Sequence, residues 1–178
     1  MRKILLFFTL VILIPFLSKA AGLRENLFFE NKVSVLIPND FYEADIKSVA
    51  ERFPDEANRP QIVLTDADGV ALVSMSLVKN VGDRQTIIHF FRDIKENLRA
   101  SYPEHRIITS DVIRGRTLAF VEVLIPNQQG EMMYNVMAFR YIGDSFFSFN
   151  FSCPKDDMQK YQDNFREVAK SIKEVRKN

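Results

Sequence analysis

Three consecutive segments in the last third of the chain are rich in apolar residues, and in the third of them apolar and polar residues alternate. We predict strands at Thr117–Ile125, Met132–Ile142 and Ser145–Cys153, with turns at Asn127–Gly130 and Gly143–Asp144. In the third segment every second residue is apolar, namely Phe147, Phe149, Phe151 and Cys153. The residues between them, Ser148, Asn150 and Ser152, are small and polar. Because successive side chains of a strand point to opposite faces, the aromatic residues should line one face of a sheet.

Three other segments repeat their apolar residues with the period of a helix, which is 3.6 residues. A short helix is predicted by Ile46, Val49, Ala50 and Phe53, a longer one at Arg84–Tyr102, and a third from Met158 onward. Asp83 is the expected N-cap of the longer helix. The core stripes are Ile87, Phe91, Ile94 and Leu98 in the longer helix, and Met158, Tyr161, Phe165, Val168, Ala169 and Ile172 in the third.

Shorter alternating segments predict two hairpins and one further strand earlier in the chain. The hairpins pair Leu27–Glu30 with Val33–Ile37 and Gln61–Thr65 with Val70–Val78. A strand at Arg106–Ile113 then turns at Arg114-Gly115 into the last three strands. Hairpin connections dominate, so the sheet should be mainly antiparallel with helices packed on it. We predict the α+β class and a single domain at residues 21–178.

The N-terminus has the three parts of a secretory signal peptide. Arg2 and Lys3 precede the apolar stretch Ile4–Leu17, and Ser18-Lys19-Ala20 places small residues before a cut at Ala21. The alternative is an uncleaved anchor, but the apolar stretch is shorter than the ~20 residues that a membrane span needs. We therefore predict a signal peptide at residues 1–20. The mature chain should be soluble, without a stable membrane anchor, and periplasmic in a bacterium or otherwise secreted.

The charge balance argues against nucleic acid as a partner. The chain has 24 basic and 23 acidic residues, and removal of residues 1–20 leaves 21 and 23, a net charge of −2. Proteins that bind nucleic acid concentrate basic side chains on one surface. A nearly neutral chain without a basic block lacks that feature.

Cys153 is the only cysteine of the chain, which excludes an intramolecular disulfide. Cys153 lies on the same face of the predicted strand as the aromatic residues, so we expect a buried free thiol. The alternative is a disulfide between two chains in an oxidising compartment. The oligomeric state is left open by the sequence.

The sequence contains no recognisable catalytic, cofactor or metal motif. The two histidines, His89 and His105, lie on the polar face of a helix and just before a strand, and neither follows the pattern of a catalytic triad. Asp66 and Asp68 with Gly69 resemble the start of a calcium loop, but Leu77 stands where the bidentate Glu is required. A tight turn is the preferred interpretation. We predict a protein that is not an enzyme and has no cofactor or metal.

A partner-binding surface is predicted on the face of the sheet opposite the aromatic side chains. The alternative is that a second helix layer covers this face. We expect Glu122 on the same face as the residues of the predicted surface, which are Met133, Asn135, Met137, Tyr141, Ser148 and Asn150.

Several segments resemble the PsbP-like family, which includes the Ran-binding Mog proteins and the bacterial DcrB-type envelope proteins. Val33–Pro38 resembles its opening strand, Ile62–Met75 its second hairpin, and Phe147–Phe151 with Ser171-Ile172-Lys173 its closing strand and terminal helix. The family often has a Trp soon after the Pro that ends the opening strand, whereas this chain has Phe41 nearby instead. The resemblance implies an α+β fold and a role in binding, and the family supplies no catalytic residue to transfer.

These observations favour a non-enzymatic exported protein that binds a protein partner, in envelope assembly or in immunity to a toxin. The alternative function is a periplasmic carrier of a small ligand, with a pocket between the sheet and the long helix. A hydrolase is the least favoured of the three.

Overall fold

The computed structural model describes residues 22–79, 86–113, 118–127 and 129–175. The predicted signal peptide at residues 1–20, the N-cap Asp83 and the turn at Arg114-Gly115 lie outside the described residues.

Ten strands and three α-helices make up the described part of the chain. The helices are α1 (Ile46–Arg52), α2 (Thr86–Ser101) and α3 (Met158–Ser171). The strands are β1 (Leu23–Phe28), β2 (Val33–Pro38), β3 (Tyr42–Glu43), β4 (Ile62–Thr65), β5 (Leu72–Lys79), β6 (Arg106–Ile113), β7 (Leu118–Pro126), β8 (Met132–Ile142), β9 (Ser145–Pro154) and β10 (Lys173–Glu174). Single 3-10 turns lie at Glu56–Asn58 and Lys155–Asp157.

Seven strands form an antiparallel sheet in the order β3-β4-β5-β9-β8-β7-β6. After β5 the chain passes through α2 to the far edge, and the strands β6 to β9 then return as a meander. This return places β9 beside β5 in the centre of the sheet. A second antiparallel sheet has the order β1-β2-β10. The predicted α+β class with a mainly antiparallel sheet is confirmed.

The first face of the main sheet is covered by α3 and the small sheet. Phe147, Phe149, Phe151 and Cys153 all lie on this face and are at most 1% exposed. The ring of Phe151 stacks on that of Phe165 in α3, with ring centroids 3.5 Å apart. The alternation in β9 and the core stripe of α3 therefore meet as predicted.

The second face is covered by α2 over only part of its width. Ile87, Phe91 and Leu98 of α2 are buried against strands β7 and β8 and the start of β9. The sheet residues in this cluster are Ala119, Val121, Val123, Phe139, Tyr141 and Phe146. A helix layer thus covers one part of this face, and partner binding by the uncovered part stays a prediction.

Two details of the predicted elements are wrong. Phe29, Glu30 and Asn31 have φ angles of 54°, 57° and 62°, so they form the turn after β1 and do not extend a strand. The first hairpin instead begins at Leu23, because β1 pairs with β2 from Leu23 opposite Pro38. In α1, no residue is fully buried and Ile46 is 86% exposed, whereas Val49, Ala50 and Phe53 are partly buried, so the predicted apolar face is packed only in part.

Candidate functional site

A strip of polar side chains runs along the second face of the sheet, beside the part that α2 covers. Its residues are brought side by side by the pairing of β5 with β9 and of β9 with β8. Ser74 and Met137 flank Asn150, Ser76 and Phe139 flank Ser148, and Leu72 and Asn135 flank Ser152. All three residues of β9 in this strip are partly exposed, so no element of the described chain seals them from solvent.

Two adjacent pockets lie over this strip and share Asn150. The larger one has a volume of about 830 Å³ and the smaller one about 240 Å³. We call the two together the central groove. It runs along β9 from Ser148 to Ser152, about 13 Å at the rise of a strand. The larger pocket is also lined by Glu51, Arg52, Phe53 and Pro54 on the β5 side and by Tyr102, Ile125, Pro126 and Asn127 on the β7 side.

Most of the predicted surface residues line the central groove. Met133, Asn135 and Asn150 line the larger pocket, while Met137, Ser148 and Asn150 line the smaller one. Although Asn135 lines the floor, its side chain is only 4% exposed, and its Nδ2 donates to the backbone carbonyl of Met133 at 3.2 Å. Whether these residues bind a partner stays a prediction.

Tyr141 is not part of an accessible surface. It shares the face of Met137, as the alternation predicted, but it is only 3% exposed. Its ring packs edge-on against Phe146, with centroids 5.5 Å apart, in the cluster under α2. A partner cannot reach Tyr141 unless α2 moves.

The side-chain carbonyl of Asn150 is the most unusual polar group of the groove. Its Oδ1 is buried and has no hydrogen-bond partner among the described residues. A buried amide group without a partner destabilises a protein by about 1–3 kcal/mol. The oxygen is therefore an acceptor whose hydrogen-bonding capacity is unused within the described fold.

A third pocket, of about 370 Å³, adjoins the central groove, since Arg52 and Leu72 line both. Its other lining side chains include the carboxylates of Glu43, Asp45 and Asp68. The carboxylate of Asp45 caps α1 by accepting from the backbone N–H of Ser48, and the hydrogen bonds from Ser48 lower the pKa of Asp45. This end of the groove carries excess negative charge.

Residues Asp66–Gly69 form a tight turn, as predicted. Oδ1 of Asp66 accepts from the backbone N–H groups of Val70 and Ala71 at 2.8 and 3.0 Å. Its Oδ2 accepts from the hydroxyl of Tyr161 at 2.7 Å, which ties the turn to α3. Asp66 is only 3% exposed, so its carboxylate serves the turn, and no group of three or more metal-ligating side chains occurs in the described ranges.

Glu122 lies on the first face, and its predicted position on the second face is wrong. Its carboxylate is fully buried and accepts hydrogen bonds from Tyr134, Gln162 and Arg166. Burial, together with the hydrogen bond to Glu122, raises the pKa of the Tyr134 hydroxyl. The hydrogen bonds that Arg166 donates to the carboxylate of Glu122 likewise raise the pKa of Arg166. This cluster fastens α3 to the sheet.

The histidines and the cysteine contribute nothing to the central groove. His89 is exposed on α2, where its Nδ1 lies 3.3 Å from Nη2 of Arg92. His105 donates from Nδ1 to the backbone carbonyl of Tyr102 at 2.6 Å. Cys153 is fully buried, as predicted, and burial raises the pKa of its thiol to about 12. A disulfide between chains would require Cys153 to leave the core.

The walls of the groove and one strand of its floor were not among the predicted residues. Ser74 and Ser76 share one parity within the predicted strand Val70–Val78, so the alternation alone could have assigned them to one face. Phe53 and Tyr102 follow the ends of two different helices. No local pattern indicates that they line the same pocket.

No family model matches the chain, and the search of curated proteins found no similar sequence. Solved structures are similar in fold. The Ran-binding protein Mog1p of Saccharomyces cerevisiae has a TM-score of 0.53 at 12% identity, over 86% of this chain and 95% of Mog1p. The PsbP protein CyanoP of Synechocystis has a TM-score of 0.55 at 13% identity, over 87% of this chain and 94% of CyanoP.

LpqN of Mycobacterium tuberculosis, described as involved in cell envelope biogenesis, has a TM-score of 0.53 at 9% identity, over 87% of this chain and 91% of LpqN. At these identities the similarity concerns the fold. None of the helices in the described ranges is both long and apolar enough to cross a membrane. The chain therefore has the PsbP-like/Mog α+β fold.

Proposed function

We propose that this chain is an exported, non-enzymatic protein that binds a protein partner through the central groove. The observation that carries the proposal is the part of the second face that α2 leaves uncovered, where Ser148, Asn150 and Ser152 are partly exposed and line the two pockets. Met133 and Met137 line the same pockets and have the flexible side chains common at binding surfaces.

The setting we propose is the bacterial envelope, with a role in assembly or in immunity to a toxin. The N-terminal pattern of basic, apolar and small residues supports export. Two proteins of the same fold support a binding role by their descriptions: Mog1p is a Ran-binding protein, and LpqN is involved in cell envelope biogenesis. In a bacterium the protein would act in the periplasm, and otherwise it would be secreted.

A small-ligand carrier is the second candidate, and the size of the groove favours it. The larger pocket has about 830 Å³, within the range of roughly 300–1,000 Å³ that is usual for ligand sites. It lies between the sheet and the end of α2, where Tyr102 follows the helix.

Affinity capture with matched variants tests the proposed function. The tagged protein is incubated with envelope extract from its own organism, beside Asn150→Arg in the groove and Asn97→Arg on the exposed face of α2. We expect a stoichiometric protein that the wild type and Asn97→Arg retain and Asn150→Arg loses. Ser76→Arg, in the smaller pocket, gives a second blocked variant, and thermal unfolding checks that each variant folds.

Retention of every protein partner by both groove variants would overturn the proposed function. A small molecule that co-purifies with the wild type, and is absent from Asn150→Arg by mass spectrometry, would favour the carrier instead.

A further inference from the structure

The strand β6 forms one edge of the main sheet. Its inner side pairs with β7, and no strand in the described ranges pairs with its outer side. The backbone N–H and C=O groups along such an edge can bind a further strand. With 8 residues β6 is much longer than β3, which has 2 residues at the opposite edge. Of the two edges, β6 is therefore the one with room for a further strand.

A bulge at Ile108 interrupts the regular alternation of β6. Ile107 pairs with Val123 and Thr109 pairs with Glu122, so Ile108 has no partner residue in β7. Because of this extra residue, the side chains after the bulge lie on the face opposite to the one that simple alternation would give them.

The bulge places Arg106 and Asp111 on the same face of the sheet. They pair with Leu124 and Phe120 of β7, and both of these residues belong to the core cluster of the first face. Arg106 and Asp111 are exposed, and neither makes an ion pair or a hydrogen bond within the described part of the chain. The edge thus carries one basic and one acidic residue, both available to a partner.

A second copy of β6 in antiparallel orientation is complementary to this edge. When Arg106 of one copy lies opposite Asp111 of the other, two-fold symmetry repeats the same pair at the other end of the ladder. Opposite charges that face each other across two strands stabilise their pairing. The inner residues also meet on matching faces, Ile107 opposite Ser110 on the second face and Ile108 opposite Thr109 on the first.

Other registers of the same two strands are less favourable. A shift of one residue would place residues of the first face opposite residues of the second. A shift of two residues in one direction brings Asp111 opposite Glu104 of the other copy, a like-charge pair that destabilises the ladder. A shift of two residues in the other direction leaves Arg106 and Asp111 opposite uncharged residues.

The bulge favours a second copy over an unrelated strand. Bulges and charged side chains normally protect an edge strand, because a regular strand loses its register where the edge has one extra residue. In the symmetric pair both strands carry the extra residue at the same place, between Ile107 and Thr109. The register is therefore the same on both sides of the bulge.

We propose that two copies of this chain associate through β6, with Arg106 of each copy opposite Asp111 of the other. The paired segment is short against the ~20–30 residues a side of a stable interface. The dimer should therefore be weak, with a dissociation constant of about 1–100 μM. The floor strands of the central groove, β5, β9 and β8, are separated from β6 by β7, so the dimer does not depend on the proposed function.

Sedimentation equilibrium of the mature protein tests the association. We expect the wild type to change from monomer to dimer between about 1 μM and about 1 mM. Asp111→Arg and Arg106→Asp each place like charges opposite one another at both ends of the ladder. Each should raise the dissociation constant about tenfold or more, equivalent to about 1.4 kcal/mol. Glu96→Arg, on the exposed face of α2, should leave it unchanged.

A mixture of the two variants separates pairing at β6 from other effects of the substitutions. Asp111→Arg has a basic residue at both positions and Arg106→Asp has an acidic residue at both, so a copy of one variant is complementary to a copy of the other. We expect the mixture to form a heterodimer with a dissociation constant within about threefold of the wild-type value. Recovery of association in the mixture also shows that both variants fold.

A wild type that stays monomeric up to about 1 mM would overturn the inference. A wild-type dimer that neither single variant weakens would overturn it too. Single variants that unfold thermally like the wild type but do not associate when mixed would show that Arg106 and Asp111 do not face each other, which also contradicts the proposed pairing.

Discussion

The carboxylate of Glu122 on β7 is fully buried and holds the guanidinium of Arg166 on α3 by two hydrogen bonds. Nε and Nη2 of Arg166 donate to the two carboxylate oxygens at 2.8 and 2.9 Å. The hydroxyl of Tyr134 donates to Oε1 of Glu122 at 2.9 Å from the neighbouring strand. This charged cluster joins the sheet to the helix that covers its first face.

Glu122→Gln should lower the free energy of unfolding by about 2–4 kcal/mol. The amide removes the negative charge and turns an N–H₂ group toward the donors of Tyr134 and Arg166. Urea denaturation measures the change. The control is Asp163→Asn, because the carboxylate of Asp163 is 98% exposed and only 3.5 Å from Nη1 of Arg166. It should show no measurable change, and an equally small effect of Glu122→Gln would contradict the structural role.

The stability of the protein should fall in alkaline solution through Cys153. An unfolded thiol ionises near pH 8.5, whereas burial raises the pKa of Cys153 to about 12 in the folded protein. The folded state therefore retains a proton that the unfolded state releases. The stability that this thiol contributes is fully present below pH 8.5 and is lost as the pH rises toward 12.

Denaturation at pH 7.5, 9 and 10 tests this dependence with Cys153→Ala as the control. The variant should be less stable at every pH, because it leaves a cavity, but its stability should fall less steeply. Burial also raises the pKa values of Tyr134 and Tyr161, so measurements up to pH 10 best isolate the thiol. Parallel slopes for the two proteins would contradict the prediction.

Replacement of Asn150 should not destabilise the fold. Because Oδ1 of Asn150 is buried without a partner among the described residues, Asn150→Leu should match the wild type or raise the free energy of unfolding by about 1 kcal/mol. The matched control is Asn127→Leu. Oδ1 of Asn127 accepts from the backbone N–H groups of Gln129 and Glu131, both at 2.9 Å.

Asn127→Leu should therefore lower the free energy of unfolding by about 1–2 kcal/mol. Thermal and urea denaturation of both variants give the comparison. A larger loss for Asn150→Leu than for Asn127→Leu would contradict the prediction and show that the side chain of Asn150 stabilises the fold.

Glycine at position 30 should stabilise the first hairpin. Glu30 has a φ of 57° within three consecutive left-handed residues, a conformation that costs a residue with a Cβ roughly 1–2 kcal/mol. Glu30→Gly should raise the free energy of unfolding by up to about 1 kcal/mol, after the greater chain entropy of glycine is subtracted. The control is Glu51→Gly within α1, which should lower it by about 1 kcal/mol.

Export should remove residues 1–20. In a bacterial host, the mass of the periplasmic protein should correspond to a chain that begins at Ala21. Ala20→Leu places a bulky residue before the cut and should leave the precursor at full length. A periplasmic wild type that keeps residues 1–20 would favour the uncleaved anchor.

The order of apolar and polar residues predicted a strand and its buried face well where one face of the strand is apolar and the other is polar. In β9, Phe147, Phe149 and Phe151 alternate with small polar residues; the buried face was predicted correctly and the bounds to within one residue. In β7, all residues from Leu118 to Leu124 are buried, because both faces of this strand are covered. Without alternation the face of Glu122 cannot be read from the sequence, and its assignment failed.

The sequence by itself determined the α+β class, the three helices and the face on which Phe151 and Cys153 are buried. Each of these depends on the periodicity of neighbouring residues, which is a local property. The tertiary structure alone decided that α2 buries Tyr141 and leaves Asn150 uncovered beside it. Which part of a sheet a helix covers depends on packing between residues distant in the chain. Phe53, Tyr102 and Asn150 therefore meet in one groove for a reason that no segment of the sequence contains.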